Sequence, residues 1–324
     1  MFKRLIPDPF LLYLASTVLL ATLLPARGTF AAFVGWLSIA TVVALFFFHG
    51  AKLAREQIVA GLANWRLHLT ILAATFLLFP LLGVASEHLA PRLLPRDLWI
   101  GVLFVCALPS TVQSAVAFVS LGRGNVPAAI ASASASQMLG IVLTPVLMGL
   151  IAGTHGGGGG AAGVGKVALE IFVPFVAGHL LRPWIGGFVA RHKGIIGYTD
   201  RSTILIAVYA AFSAAVLEGL WHKLPPQSLV ILLLVDAALL AIGLAMTWGL
   251  GRLPGFDRAD RVTIQFCGTK KSLVQGVPMA RVLFTGPEAG VILLPIMLFH
   301  QMQLMACAVL ARRYARQADA EDAA

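Results

Sequence analysis

Charge is scarce in this sequence. Asp, Glu, Lys and Arg make up 12% of its 324 residues, against about 25% in a soluble globular domain. With 59% hydrophobic residues and a mean hydropathy of +0.88, that shortage excludes a water-soluble fold and leaves an integral membrane protein. Cysteine is nearly absent. Cys106, Cys267 and Cys307 are odd in number and fall in apolar segments, which excludes a disulfide framework or zinc spacing and makes them small buried hydrophobes. No segment alternates polar and apolar residues in blocks of about ten, so a transmembrane barrel is excluded. Neither Gly-x-Ser-x-Gly nor His-Glu-x-x-His occurs, and the eight histidines show no ligand spacing. No enzyme activity and no cofactor are expected. Acidic residues number 14 against 24 basic ones, for a net charge of +10. The basic side chains are spread singly over loops, so the excess reports orientation in a bilayer, and no nucleic-acid partner is expected.

What the chain has in abundance is apolar sequence in lengths able to cross ~30 Å of hydrocarbon as helices. Ten spans are read, at about 9–26, 30–49, 67–86, 97–120, 125–152, 167–184, 202–219, 228–250, 259–284 and 288–311. The fourth and ninth are interrupted by polar residues. Met1 to Asp8 precedes an apolar run without an Ala-x-Ala cleavage pattern, so the first span is read as a retained helix. With the N-terminus inside, sixteen Lys and Arg fall on the inner side and six on the outer. That positive-inside bias predicts both termini cytoplasmic, in a multi-pass protein of a bacterial inner membrane.

Two stretches about half a chain apart share a pattern. Thr111, Ser114, Val116, Val119 and Arg123 match Thr269, Ser272, Val274, Val277 and Arg281 at an offset of 158. Gly140-Ile-Val-Leu-Thr-Pro145 matches Gly290-Val-Ile-Leu-Leu-Pro295 at an offset of 150. Duplicated halves with polar, helix-breaking segments at matching places are a mark of secondary transporters. Five spans per half is an odd number, so the second half enters the membrane inverted. The expected organisation is a first five-helix repeat over 1–153, a Gly-rich connector over 154–166, a second, inverted five-helix repeat over 167–311 and a cytoplasmic tail over 312–324. The connector contains Gly156–Gly160 and reads as flexible. No strand precedes it and no Gly-Lys-Ser/Thr follows, so it is no phosphate loop.

Chemistry concentrates in the two interrupted spans. In Ala107-Leu-Pro-Ser-Thr-Val-Gln-Ser114, Pro109 removes a backbone donor and disfavours helix at Leu108. Carbonyls freed in lipid must be satisfied by protein, water or an ion. Ser110, Thr111, Gln113 and Ser114 are small polar groups able to do this, either as a substrate or ion site near the midplane or as the staples of a packed proline kink. In Gln265-Phe-Cys-Gly-Thr-Lys-Lys-Ser272, Lys270 and Lys271 lie in mid-span, where one ammonium costs roughly 2.5–3.5 kcal/mol on insertion scales. Consecutive helical residues point about 100° apart, so both lysines face inward only if the helix unwinds. Ser132 and Ser136 share a face of the fifth span at i, i+4 spacing, as ligands or as small packing residues. Asp236 is the single acid deep within a span. It is either a counter-charge for one lysine or a proton carrier.

These residues carry a resemblance. Pro109-Ser-Thr-Val-Gln-Ser-Ala, Arg123-Gly-Asn-Val126 and Gly140-Ile-Val-Leu-Thr-Pro145 are similar to the bile acid:sodium symporter family. Phe266-Cys-Gly-Thr-Lys-Lys-Ser-Leu273 with Gly276-Val-Pro278, and Asp200-Arg-Ser-Thr-Ile-Leu205 with Val208-Tyr209, resemble the branch holding solute carrier family 10 member 7 and its bacterial relatives. The resemblance covers nearly the whole chain. It implies an all-α membrane fold of ten transmembrane helices in two inverted five-helix repeats. A panel domain comprises spans 1, 2, 6 and 7; a core domain comprises spans 3–5 and 8–10, with broken helices 4 and 9 crossing. In sodium-coupled members one sodium is held by spans 4 and 5 and a span-9 glutamate. A second is held by that glutamate, span-9 groups and a span-3 glutamine. Carried over by position, the first site here falls on Gln113 and Ser114. Its span-5 positions are Ala129 and Ala133, close to Ser132 and Ser136. The glutamate position is Gln265, and the two remaining positions are Thr269 and Thr75. The acidic ligand is therefore missing and lysines lie beside the site, a pocket that disfavours sodium.

The expected function is a secondary transporter of a small organic anion working by alternating access. It is sodium-independent or proton-coupled, with Lys270 or Lys271 standing in for a bound cation. Ser110, Thr111, Ser272 and the residues above surround the substrate or ion. The alternative is a non-transporting membrane regulator of another protein's ion flux that keeps the transporter fold.

Overall fold

The computed structural model describes residues 9–52, 64–152, 168–284, 286 and 288–322. Residues 1–8 and the Gly-rich connector 154–166 lie outside them. Every regular element among the described residues is helical. In chain order they are α1 (Pro9–Leu23), α2 (Gly28–Lys52), α3 (Trp65–Ala73), a π-helical turn (Ala74–Leu78), α4 (Phe79–Leu89), α5 (Arg96–Ala107), α6 (Gln113–Leu121) and α7 (Val126–Ile151). A second π-helical turn (Ala168–Phe172) leads into α8 (Val173–Arg191), α9 (Lys193–Leu217), α10 (Leu220–Lys223), α11 (Pro226–Gly251), α12 (Arg258–Thr269), α13 (Leu273–Leu283) and α14 (Ala289–Asp322).

The expectation of ten transmembrane helices in two inverted five-helix repeats, with panel and core domains, is corrected here. Among the described residues, 7 helices are long and apolar enough to cross a membrane. The reason lies in helix length. Among the described residues helix α1 has 15 residues, fewer than the ~20 that hydrocarbon requires. The fourth span resolves into helices of 12 and 9 residues, and the ninth into helices of 12 and 11. None of these four crosses alone.

The chain forms two compact units that alternate along the sequence. The first comprises Met1–Leu53, Thr154–Pro226 and Val277–Leu294. Its tightest crossing is between α2 and α8, where a Cβ on Gly50 would lie 1.9 Å from the Phe175 carbonyl oxygen and one on Gly178 would lie 1.9 Å from that of Phe47. Only glycine allows backbones that close, the small-residue packing expected where lipid supplies no hydrophobic drive. Near the end of α2, Lys52 pairs with Asp200 of α9 at 3.1 Å.

The second unit comprises Ala54–Gly153, Gln227–Gly276 and Pro295–Ala324, and it holds both interrupted segments. Its core gathers Leu67 and Ile71 of α3, Val119 of α6, Ala129 of α7, Phe266 of α12 and Cys307 of α14. Two helix starts in this unit are capped by side chains just before them. The Asn125 side chain accepts from the Ala128 N–H at the head of α7 at 3.1 Å, and Asp257 accepts from the Asp260 N–H at the head of α12 at 2.7 Å. Such caps satisfy amide protons that a helix start leaves free.

Candidate functional site

Two prolines prepare the site by removing amide protons. Pro109 has no N–H, so α5 ends at Ala107 and Leu108 turns extended, with φ −71° and ψ 150°. Four consecutive carbonyls, Cys106 to Pro109, are thereby released in an interior where an unpaired one is costly. Ala107 accepts from the Thr144 hydroxyl at 2.8 Å, and Pro109 accepts from the Ser272 N–H at 2.9 Å. Cys106 and Leu108 accept from Lys271 Nζ at 2.8 and 2.9 Å. The second proline is Pro80. In the π-helical turn the Phe79 N–H bonds back to the Ala74 carbonyl, and Pro80, five residues after Thr75, has no proton to offer. The Thr75 carbonyl is left to Lys271 Nζ, at 2.9 Å.

Lys271 thus spends its three ammonium hydrogens on three main-chain oxygens, with the Phe79 ring centroid 4.4 Å from Nζ. Its backbone is held equally firmly. The Lys271 N–H donates to Gln303 Oε1 at 2.9 Å, and Gln303 Nε2 donates to the Lys271 carbonyl at 2.8 Å. Lys270 goes the other way. Its ψ of 140° is extended, and in extended chain successive side chains point to opposite sides. That is how two adjacent lysines are both 0% exposed. Lys270 Nζ lies 4.3 Å from the Phe118 ring centroid and has no hydrogen-bond partner among the described residues.

A second polar cluster adjoins the break. Gln265 Nε2 donates to the Leu244 carbonyl at 2.8 Å and to Thr247 Oγ1 at 3.1 Å, while its Oε1 accepts from the Tyr314 hydroxyl at 3.3 Å. The hydroxyls of Thr247 and Thr269 are 2.7 Å apart. The other candidate residues disperse. The Ser110 N–H donates to Ser136 Oγ at 3.0 Å, and Ser114 Oγ donates to Thr111 Oγ1 at 3.4 Å. Ser132 Oγ lies 2.6 Å from His68 Nδ1, and Gln113 is exposed. Ser272 Oγ accepts from the Gln275 N–H at 3.3 Å, capping α13. The Thr75 hydroxyl donates to the Ile71 carbonyl within its own helix at 2.8 Å. Asp236 is fully buried, and neither of its carboxyl oxygens has a hydrogen-bond partner among the described residues. It shares a buried face of α11 with Gly243 and Thr247, at i, i+7 and i+11.

Sequence reasoning passed over Gln303, Thr144, Thr247, Tyr314 and His68. The signal for Gln303 was present: an amide in the middle of the last apolar span needs partners. Thr144 sits inside the Gly140–Pro145 motif and was quoted there without a role.

The chain is 51% identical over 317 residues to "Uncharacterized protein PA2026" of Pseudomonas aeruginosa, covering 98% of this chain and 95% of that one. It is 51% identical over 312 residues to the putative symporter YfeH of Escherichia coli strain K12, covering 96% and 94%. It is 30% identical over 281 residues to sodium/bile acid cotransporter 7 of Rattus norvegicus, covering 86% and 82%. The SBF-like CPA transporter family matches residues 8–316. A membrane-spanning chain with two polar helix breaks, matched over nearly its whole length, is therefore a multi-pass transporter belonging to the SBF-like CPA transporter family.

Proposed function

We propose that the protein carries a small organic anion by alternating access without sodium, and that Lys271 permanently supplies the positive charge a bound cation would bring. The observation that supports this is the seating of Lys271 Nζ on the carbonyls of Thr75, Cys106 and Leu108 at 2.8–2.9 Å. Main-chain carbonyls are hard oxygen ligands of the kind that hold alkali cations, and here an ammonium fills their centre. At Gln265 the amide points two N–H groups at neighbours and its oxygen is taken by Tyr314, an arrangement that gives a sodium ion no acid. Any coupling ion is then a proton. Lys270, whose ammonium hydrogens are uncommitted, supplies the counter-charge for the anion. The starts of α6 and α13 add positive dipole ends beside it. A place in the bacterial inner membrane is part of this reading, supported by the likeness to relatives from Pseudomonas aeruginosa and Escherichia coli.

Thermal unfolding of purified protein in detergent tests this. An organic anion at 100 times its Kd should add about 2.7 kcal/mol, lost in Lys270→Ala and indifferent to sodium. Lys271→Ala leaves three carbonyls unpaired, at about 1–3 kcal/mol each, and sodium or methylammonium should restore part of that loss. Stabilisation of the unaltered protein by sodium would overturn the reading. No shift with any anion would favour the non-transporting regulator.

A further inference from the structure

Lys270 and Lys271 are neighbours of identical chemistry, and one carbonyl seat lies within reach of their segment. Because side chains of extended chain alternate, a slip of one residue would exchange the lysine that enters the seat for the one that leaves it. Whatever pins the backbone between α12 and α13 therefore decides which lysine becomes the resident cation. One pin is the Ser272 N–H on the Pro109 carbonyl at 2.9 Å. The other comes from α14, 32 residues away. Gln303 is fully buried and bonds both the N–H and the carbonyl of Lys271, at 2.9 and 2.8 Å. This is the pair of bonds that a neighbouring strand would make.

The bonds are directional. Gln303 makes both with its oxygen toward the Lys271 N–H and its nitrogen toward the carbonyl, and with the amide reversed it makes neither. His300, one turn earlier on α14, removes that freedom. Its Nδ1 lies 2.9 Å from Gln303 Nε2, where it accepts the second amide hydrogen and keeps the nitrogen on that side. The amide thus has its two hydrogens and its oxygen all engaged, and it recognises a single register of the segment.

We propose that Gln303 is a positioning residue that sets the register of the broken segment and commits Lys271, rather than Lys270, to the carbonyl seat. This rests on Lys271 being the tethered cation. Loss of Gln303 lets the segment populate both registers, so that Lys270 enters the seat when Lys271 is absent. Gln303 acts through the backbone of Lys271 and touches neither substrate nor the ammonium.

The test combines Gln303→Leu, which keeps the volume and removes both bonds, with each lysine substitution. In the unaltered background Lys271→Ala lowers Tm, and methylammonium recovers part of the loss. In the Gln303→Leu background the same substitution should cost at most half as much, and methylammonium should have no effect because Lys270 fills the seat. Lys270→Ala added as a third change should restore both the cost and the response. Additive losses with an unchanged methylammonium response would overturn the proposal, since a merely structural glutamine predicts that result. The unaltered protein supplies a check that needs no variant. The Lys271 amide, although outside any helix, should exchange its hydrogen as slowly as amides inside α12, and fast exchange would overturn the proposal. If methylammonium rescues neither background, the tethered-cation reading fails by itself, while the Gln303–Lys271 coupling in Tm and the amide protection still decide the role of Gln303.

Discussion

The oxygens around Lys271 Nζ belong to the main chain of Thr75, Cys106 and Leu108, so the side chains at these positions and the integrity of the seat are separable. Among the described residues the Thr75 hydroxyl bonds only the Ile71 carbonyl of its own helix. Thr75→Val should therefore cost less than about 1 kcal/mol and leave any anion-induced Tm shift unchanged; loss of that shift would show the hydroxyl to be a ligand. The same distinction explains what was legible at residue scale. Lysines in mid-span are conspicuous because their charge is expensive there, and Pro109 announces that carbonyls will be released. Which oxygens receive the ammonium is not legible, because a carbonyl has no residue identity. Ser132 and Ser136 share a helical face by spacing, yet one meets His68 and the other the Ser110 N–H. Spacing gives the face; the neighbours across it decide the partner. Asp236 pairs with neither lysine in this structure, which spacing could not have decided.

At the scale of elements, the break after α5 depends on space provided by α7. A Cβ on Gly140 would lie 2.6 Å from the Pro109 ring, closer than side-chain contacts reach without displacement. Gly140→Ala should therefore destabilise by about 1–3 kcal/mol, the usual cost of overpacking. Pro109→Ala in the same chain should recover part of that, because the ring it removes is the clashing group. Chemical denaturation of the single and double variants gives the coupling, and strict additivity would show that the contact carries no energy. The glycine is thus the counterpart of the proline: one breaks the helix and the other leaves room for the broken end. Hydropathy averaged over 97–120 or 259–284 sees an apolar stretch of spanning length in each case. The polar residues mark both stretches as interrupted, yet by length each still reads as one span; the helices end at Ala107 and Thr269, and among the described residues 7 helices are long enough to cross.

At the scale of the whole molecule, the chain passes repeatedly between two compact units, and the residues of each unit come from three separate stretches. Local pattern cannot reveal such an arrangement, because it is decided by which distant helices share a core. If Lys271 is the resident cation proposed above, a further consequence follows at this scale. A sodium ion bound with an anion is released with it and neutralises it, whereas Lys271 is bonded to the chain and leaves with nothing. Each completed cycle without a proton then moves the full charge of the substrate across the bilayer, and an electrical potential acts on it at about 2.3 kcal/mol per elementary charge per 100 mV. In a cell whose interior is negative, that bias pushes an anion outward. Protein reconstituted in vesicles should take up a monovalent substrate faster when a potassium diffusion potential makes the lumen positive, and indifference to that potential would mean that a proton makes the journey too. On the proposed reading, then, a cation that cannot dissociate leaves electrostatics favouring export of the anion.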